Sequence, residues 1–215
     1  MSRNLICLYG SQERREEIQM SKLIPIDIAG LSKTEDIMNK CHDVFKETMA
    51  SKENKPQFKG KEIMVPLKWL DYKAETFWHS ASIEPKPRLD ILPCNNDITS
   101  SLCGNNCVTA ADSIILNGME REKCIYRAVR MNWIKPVIEM YNAGDMRVKY
   151  WEKVHSNKKN RLYLRYQEEE IDFLIVLEEK SAKRVVFITA YPIFFLSAKR
   201  DYETDYQNYQ KRQSA

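Results

Sequence analysis

Glycine is scarce in this chain, six residues in 215, and none stands in a phosphate-cradling loop, which argues against a nucleotide-binding fold. No stretch approaches 18 uninterrupted apolar residues, so no membrane-spanning helix is expected. No segment repeats. The first ten residues carry one basic residue and a short apolar run, Leu5 to Tyr9, before the charged stretch Glu13-Arg14-Arg15-Glu16-Glu17. That order fits no export signal, so the expected location is cytoplasmic. There the six cysteines are not expected to form a disulfide framework, and no Cys-x-x-Cys pair occurs among them. Histidine is rarer still, with three residues, His42, His79 and His155. The choice of an imidazole acid or base is correspondingly narrow.

Hydrophobic residues make up 43% of the chain and charged residues 30%, which is enough apolar matter for one substantial core. The net charge of +4 is small, but it is unevenly spread. Between Glu120 and Arg165 there are 12 Lys or Arg against 5 Asp or Glu, so the remainder is net negative. Such segregation concentrates positive potential on part of the surface and attracts phosphates; a solvated, Lys-rich helix and hairpin is the plain alternative.

Thr34 to Ala50 has helical spacing, with Thr34 as cap, Glu35 and Asp36 in the first turn, and Ile37, Cys41, Val44 and Phe45 on one face. Lys61 to Leu70 has strand composition, interrupted by Pro66. Ala81 to Asn106 carries Pro85, Pro87 and Pro93 and reads as a long loop containing a boundary. The chain divides into an irregular N-terminal α/β portion, 1–100, and a module over 101–215. In that module Thr109 to Leu116 reads as a short helix ended by Asn117-Gly118. A longer helix is expected from Glu120, kinked at Pro136 and stopped at Gly144. Four strands follow: Val148 to His155, Arg161 to Gln167, Ile171 to Leu177 and Arg184 to Tyr191. Their short turns imply antiparallel neighbours, so the expected class is α+β, helices followed by a four-stranded antiparallel meander. In the tail, Tyr202, Tyr206 and Tyr209 share one helical face.

Four cysteines, Cys94, Cys103, Cys107 and Cys124, lie close enough in sequence to supply thiolates to a structural zinc. Only Cys103-x-x-x-Cys107 has usual ligand spacing, and buried thiols are the alternative.

The order of these elements meets specific residues. Arg127, Arg130 and Trp133-Ile134-Lys135-Pro136 precede a strand holding Trp151. Then come Arg161-Leu162-Tyr163-Leu164-Arg165, Asp172-Phe173-Leu174-Ile175-Val176-Leu177 and Phe187-Ile188-Thr189-Ala190-Tyr191-Pro192. This pattern resembles the phage-associated branch of the barnase, EndoU, colicin and RelE-type ribonuclease superfamily over about the last 100 residues. Phe77-Trp78-His79 resembles a His-bearing segment of related phage domains. The resemblance implies a metal-independent endoribonuclease in which the ribose 2′-hydroxyl attacks the adjacent phosphorus, leaving a 2′,3′-cyclic phosphate. It also implies a role as a toxin or mobile-element effector, with an antitoxin or immunity protein as partner.

Such chemistry needs a proton acceptor, a proton donor and cations for the phosphorane. His155 is the first candidate, because an unperturbed imidazole titrates at about 6.5. Arg161 and Arg165 flank Tyr163 on one strand face and suit bidentate phosphate contact. Thr189 and Tyr191 share a face of the last strand and can position the nucleophile or stack a base. Arg127 and Arg130, with Lys158, Lys159, Tyr163 and His79, are the candidate RNA contacts. The second reading keeps the basic face without catalysis: an RNA- or partner-binding protein, stabilised by the structural zinc where that site forms.

Overall fold

Alternating side chains account for the largest element of the protein. A computed structural model describes residues 23–66, 68–84, 113–156 and 158–214. Strands β8 (Val148–Val154), β9 (Asn160–Glu168), β10 (Ile171–Ser181) and β11 (Arg184–Pro192) pair antiparallel in chain order. They do not form a sheet alone. The short β1 (Gln57–Phe58) and β2 (Lys61–Met64) extend it, with β2 parallel to β11, in the order β1-β2-β11-β10-β9-β8. The architecture is therefore α+β, as expected, but the sheet is six-stranded and mixed instead of a four-stranded meander.

Period-2 alternation sorts the two faces. Leu162, Leu164, Tyr166, Phe173, Ile175, Leu177, Val185 and Phe187 point into the main core, where helices also contribute. Helix α1 (Thr34–Phe45) buries Ile37, Met38, Cys41 and Phe45 and continues as a π-turn over Lys46–Ala50. Lys33 precedes it without a side-chain cap bond, and Thr34 lies inside the helix instead of capping it. The opposite face carries Trp151, Tyr163, Leu174 and Val176. Helix α5 (Leu196–Gln213) lies over it through Tyr202, Tyr206 and Tyr209 and has no fully buried residue. At about 1.5–3 kcal/mol per large apolar side chain, the first face supplies most of the stability.

Between these parts, β3 (Trp69–Leu70) and β4 (Lys73–Ala74) lead into α2 (Glu75–Ala81), followed by β5 (Ser82–Ile83). Phe77 and Trp78 are fully buried, and Trp78 Nε1 donates to Leu70 O at 2.8 Å. Two expectations for the middle of the chain are overturned. Ser113–Leu116 is strand β6 and not a helix, hairpinned to β7 (Met119–Lys123). Asn117 and Gly118 both adopt positive φ, +51° and +78°, which is the backbone of a two-residue primed turn. The long helix from Glu120 is likewise absent. Helix α3 spans only Ile125–Ala128, a 3₁₀ turn covers Met131–Trp133, and α4 runs Ile134–Asn142. Pro136 falls in the first turn of α4, where its missing N–H has no partner to lose, so it starts a helix instead of kinking one. Gly144 at φ +81° ends it in the left-handed conformation.

The division at residue 100 and most of the Ala81–Asn106 loop lie outside the described residues. One core nevertheless runs from Leu23 to Ala190. Among the described residues no helix is long and apolar enough to cross a membrane.

Candidate functional site

Strand β2 pairs with β11 only at Arg184, Val185 and Val186, which leaves the outer edge of β11 open further along. An open strand edge exposes unpaired backbone donors and acceptors. Here α2 fills it. Ala190 N donates to Ser80 Oγ at 3.0 Å, and Thr189 Oγ1 donates to His79 O at 3.1 Å. Ser80 is fully buried and donates in turn to Thr76 O at 3.1 Å. The edge of β11 thus binds α2 directly, and His79 is set beside the Thr189-Ala190-Tyr191 segment.

Ser82 and Glu84, just beyond α2, receive the arginines. Arg121 on β7 is buried and donates from Nε to Ser82 Oγ at 2.8 Å, from Nη2 to Ser82 O at 3.1 Å and from Nη1 to Glu84 Oε1 at 2.8 Å. Arg127 on α3 donates from Nη1 to the same Ser82 O at 2.8 Å. Its guanidinium carbon lies 4.8 Å from the Tyr191 ring centre and 5.1 Å from that of Phe194. Arg127 is only 8% exposed, its Nε has no hydrogen-bond partner, and among the described residues no carboxylate pairs with it. Burial pulls its pKa below the usual guanidinium value. An ionised group held this way costs several kcal/mol unless something compensates it.

His79 is half-buried, with Nε2 3.4 Å from Asn117 Nδ2 and 3.8 Å from Glu75 Oε1. Burial, and then repulsion from Arg121, holds its pKa below that of a free imidazole despite Glu75. Its setting thus favours the neutral imidazole. Tyr191 completes the corner, with its hydroxyl 2.7 Å from that of Tyr202 on α5.

The structure sets the His79 backbone against Thr189 and the Arg127 guanidinium over Tyr191, with the His79 imidazole turned to Glu75 and Asn117, and it adds Arg121, Ser80 and Ser82, which no sequence pattern marked. Arg121 sits on a strand that reads Met-Glu-Arg-Glu-Lys, without apolar alternation, so even its element was concealed. Arg130 is one step along: its guanidinium carbon is 3.4 Å from the Tyr126 ring centre, and Tyr126 meets Phe194 at 5.5 Å.

The other candidates lie toward the β8–β9 turn. His155 Nε2 is 2.7 Å from Tyr163 Oη, and the Tyr163 ring stacks on Trp151 at 5.0 Å and 4°. Burial, then Arg161 and Lys153, lower the His155 pKa. Arg161 shares this area, with its Nε buried and unpartnered. Lys158 is exposed at the turn with φ +62°, and Lys159 pairs with Glu178 at 2.8 Å. Arg165 does not stand on an open face: it is 2% exposed, bonded to Asp172 at 2.8 and 2.7 Å, and also reaches Lys199 O and Glu203. It is a structural ion pair. Cys124 is buried, while Cys94, Cys103 and Cys107 lie outside the described residues; no metal-holding group occurs among the described ones.

No family model, curated protein or solved structure matches this chain.

Proposed function

We propose that the chain is a metal-independent endoribonuclease whose site is the corner of α2, β11 and α3. The observation that carries this reading is Arg127. Its buried cation lies over Tyr191 without a carboxylate, and a phosphate is the natural counter-charge for a guanidinium so placed. In the proposed reaction the neutral His79 imidazole takes the proton of a ribose 2′-hydroxyl. The 2′-oxygen bonds to phosphorus, and the bond from phosphorus to the 5′-oxygen breaks. The leaving oxygen takes a proton from Tyr191, whose hydroxyl is re-protonated through Tyr202. Arg127 neutralises the charge gathering on the phosphorane oxygens, and its buried setting strengthens that interaction. Thr189 holds His79 by its backbone, and Arg121 holds the Ser82 carbonyl that orients Arg127.

This assignment moves the acid–base role from His155 to His79. His155 follows the last residue of β8, and its Nε2 is tied to Tyr163 Oη at 2.7 Å. The test is incubation of the purified protein with total RNA in excess chelator, beside His79→Ala and His155→Ala. Cyclic phosphate ends, with activity lower by at least 10²-fold in His79→Ala and little changed in His155→Ala, support the reading. Intact RNA with folded protein overturns it.

A further inference from the structure

From Tyr191 a ladder of aromatic rings and two guanidinium planes runs along this side. Arg127 lies between Tyr191 and Phe194, Phe194 meets Tyr126 at 5.5 Å, and Arg130 lies 3.4 Å over Tyr126 and 5.0 Å from Trp133. Trp133 in turn stands edge-on to Phe173 in the core, which anchors the far end of the ladder. Beside it opens a cleft of about 250 Å³ lined by Tyr126, Arg130, Trp133, Phe194, Glu170 and Lys199 among others. Its lining also includes the apolar Ile171, Pro192 and Ile193. The charged groups of its wall include Arg130, Lys199, Glu170 and Asp172, and Asp172 is already engaged by Arg165 and Lys199.

We infer that this cleft receives one unpaired base of the RNA whose phosphate rests at Arg127, so that the substrate is single-stranded at the site of cleavage. The inference rests on the proposed function for the position of the phosphate. A flat aromatic ring with a guanidinium plane beside it is the surface on which bases stack without regard to sequence. Phe194 belongs to both places, touching Arg127 on one side and lining the cleft on the other, as a connected phosphate and base require. A base within a duplex has both faces covered by its neighbours and cannot enter a cleft of this kind without leaving the stack. Glu170, a carboxylate at the cleft, accepts from a ring N–H or exocyclic amine, while Arg130 and Lys199 donate to ring carbonyls, so the base is held at its edge as well as its face.

The test is fluorescence anisotropy of a labelled, non-cleavable 2′-O-methyl oligoribonucleotide, alone and annealed to its complement. The protein is the full chain, its Phe194→Leu variant, which keeps apolar volume and removes the aromatic face, and Phe194→Tyr, which keeps both. The expected result is preference for the single strand, weakened roughly ten-fold by Phe194→Leu and retained by Phe194→Tyr. Equal binding of duplex and single strand, or equal affinity of wild type and Phe194→Leu, overturns the inference. Cleavage of RNA is scored separately. Single-strand binding with the expected Phe194 dependence but no cleavage sinks the ribonuclease reading and leaves the base cleft standing; cleavage without that binding pattern does the reverse.

Discussion

Arg127 and Arg165 are both buried arginines, yet replacing each by methionine should have different consequences for stability. Arg165 is matched by Asp172 in a two-bond ion pair. Arg165→Met strands that carboxylate, 8% exposed, with only Lys199 at 3.7 Å. Removing one member of a buried pair costs about 3–5 kcal/mol, which for a chain of this size lowers Tm on the order of 10 °C. Arg127 has no carboxylate to strand. The Met variant gives up one charge-assisted hydrogen bond, about 1.5–3 kcal/mol, and two ring contacts of about 0.5–2 kcal/mol each. It gains relief from several kcal/mol of desolvation. Ser82 O keeps its bond from Arg121, so no acceptor is orphaned. These opposing contributions leave Arg127→Met near wild-type stability, within about 1 kcal/mol, while RNA cleavage is lost. Thermal unfolding of both variants, paired with the cleavage assay, decides the matter. If Arg127→Met falls as far in Tm as Arg165→Met, Arg127 is a structural residue and the phosphate argument fails.

His42 is buried, and its Nε2 accepts the Ala74 N–H at 3.0 Å; burial first, then Lys46 and Lys73, push its pKa down to about 4. The unfolded chain binds this proton near pH 6.5 and the folded one only near pH 4, so stability falls as pH drops through that window, by up to about 3 kcal/mol. Urea unfolding at pH 7 and pH 4.5 should show this drop in wild type and a smaller one in His42→Gln; equal drops would refute it. Gly118→Ala places a side chain at φ +78° with open space around its Cβ, so the cost is conformational alone, about 1 kcal/mol. A midpoint unchanged in Gly118→Ala would show that this turn tolerates a side chain.

The four long strands were legible because Arg161 to Gln167 alternates while Ile171 to Leu177 and Arg184 to Tyr191 are short, nearly continuous apolar runs bounded by charged turns. Asn117-Gly118 was harder, since the same pair ends a helix or turns a hairpin. With Glu120, Arg121, Glu122 and Lys123 in β7, no apolar alternation was there to arbitrate. The residue types of the site were readable one by one, but their convergence was not. His79 reaches Thr189 only because β2 stops pairing at Val186, and that is decided by the length of a strand some 120 residues away. The burial of Arg165 is hidden from the sequence for a related reason. Its partner Asp172 lies beyond the β9–β10 turn, and a single strand read alone shows a cation but not what neutralises it.

The parallel pairing of β2 with β11 joins Glu62 to Arg184, 122 residues apart. Loop-closure entropy over that separation must be overcome before the pairing returns any stability, which slows its formation relative to the local hairpins. During synthesis, the edge that α2 occupies does not exist until residues 189 and 190 have been made. The contacts of α2 with Thr189 and Ala190, and of Arg127 with Tyr191, therefore cannot assemble on a growing chain until β11 has emerged, whatever the earlier residues have already formed.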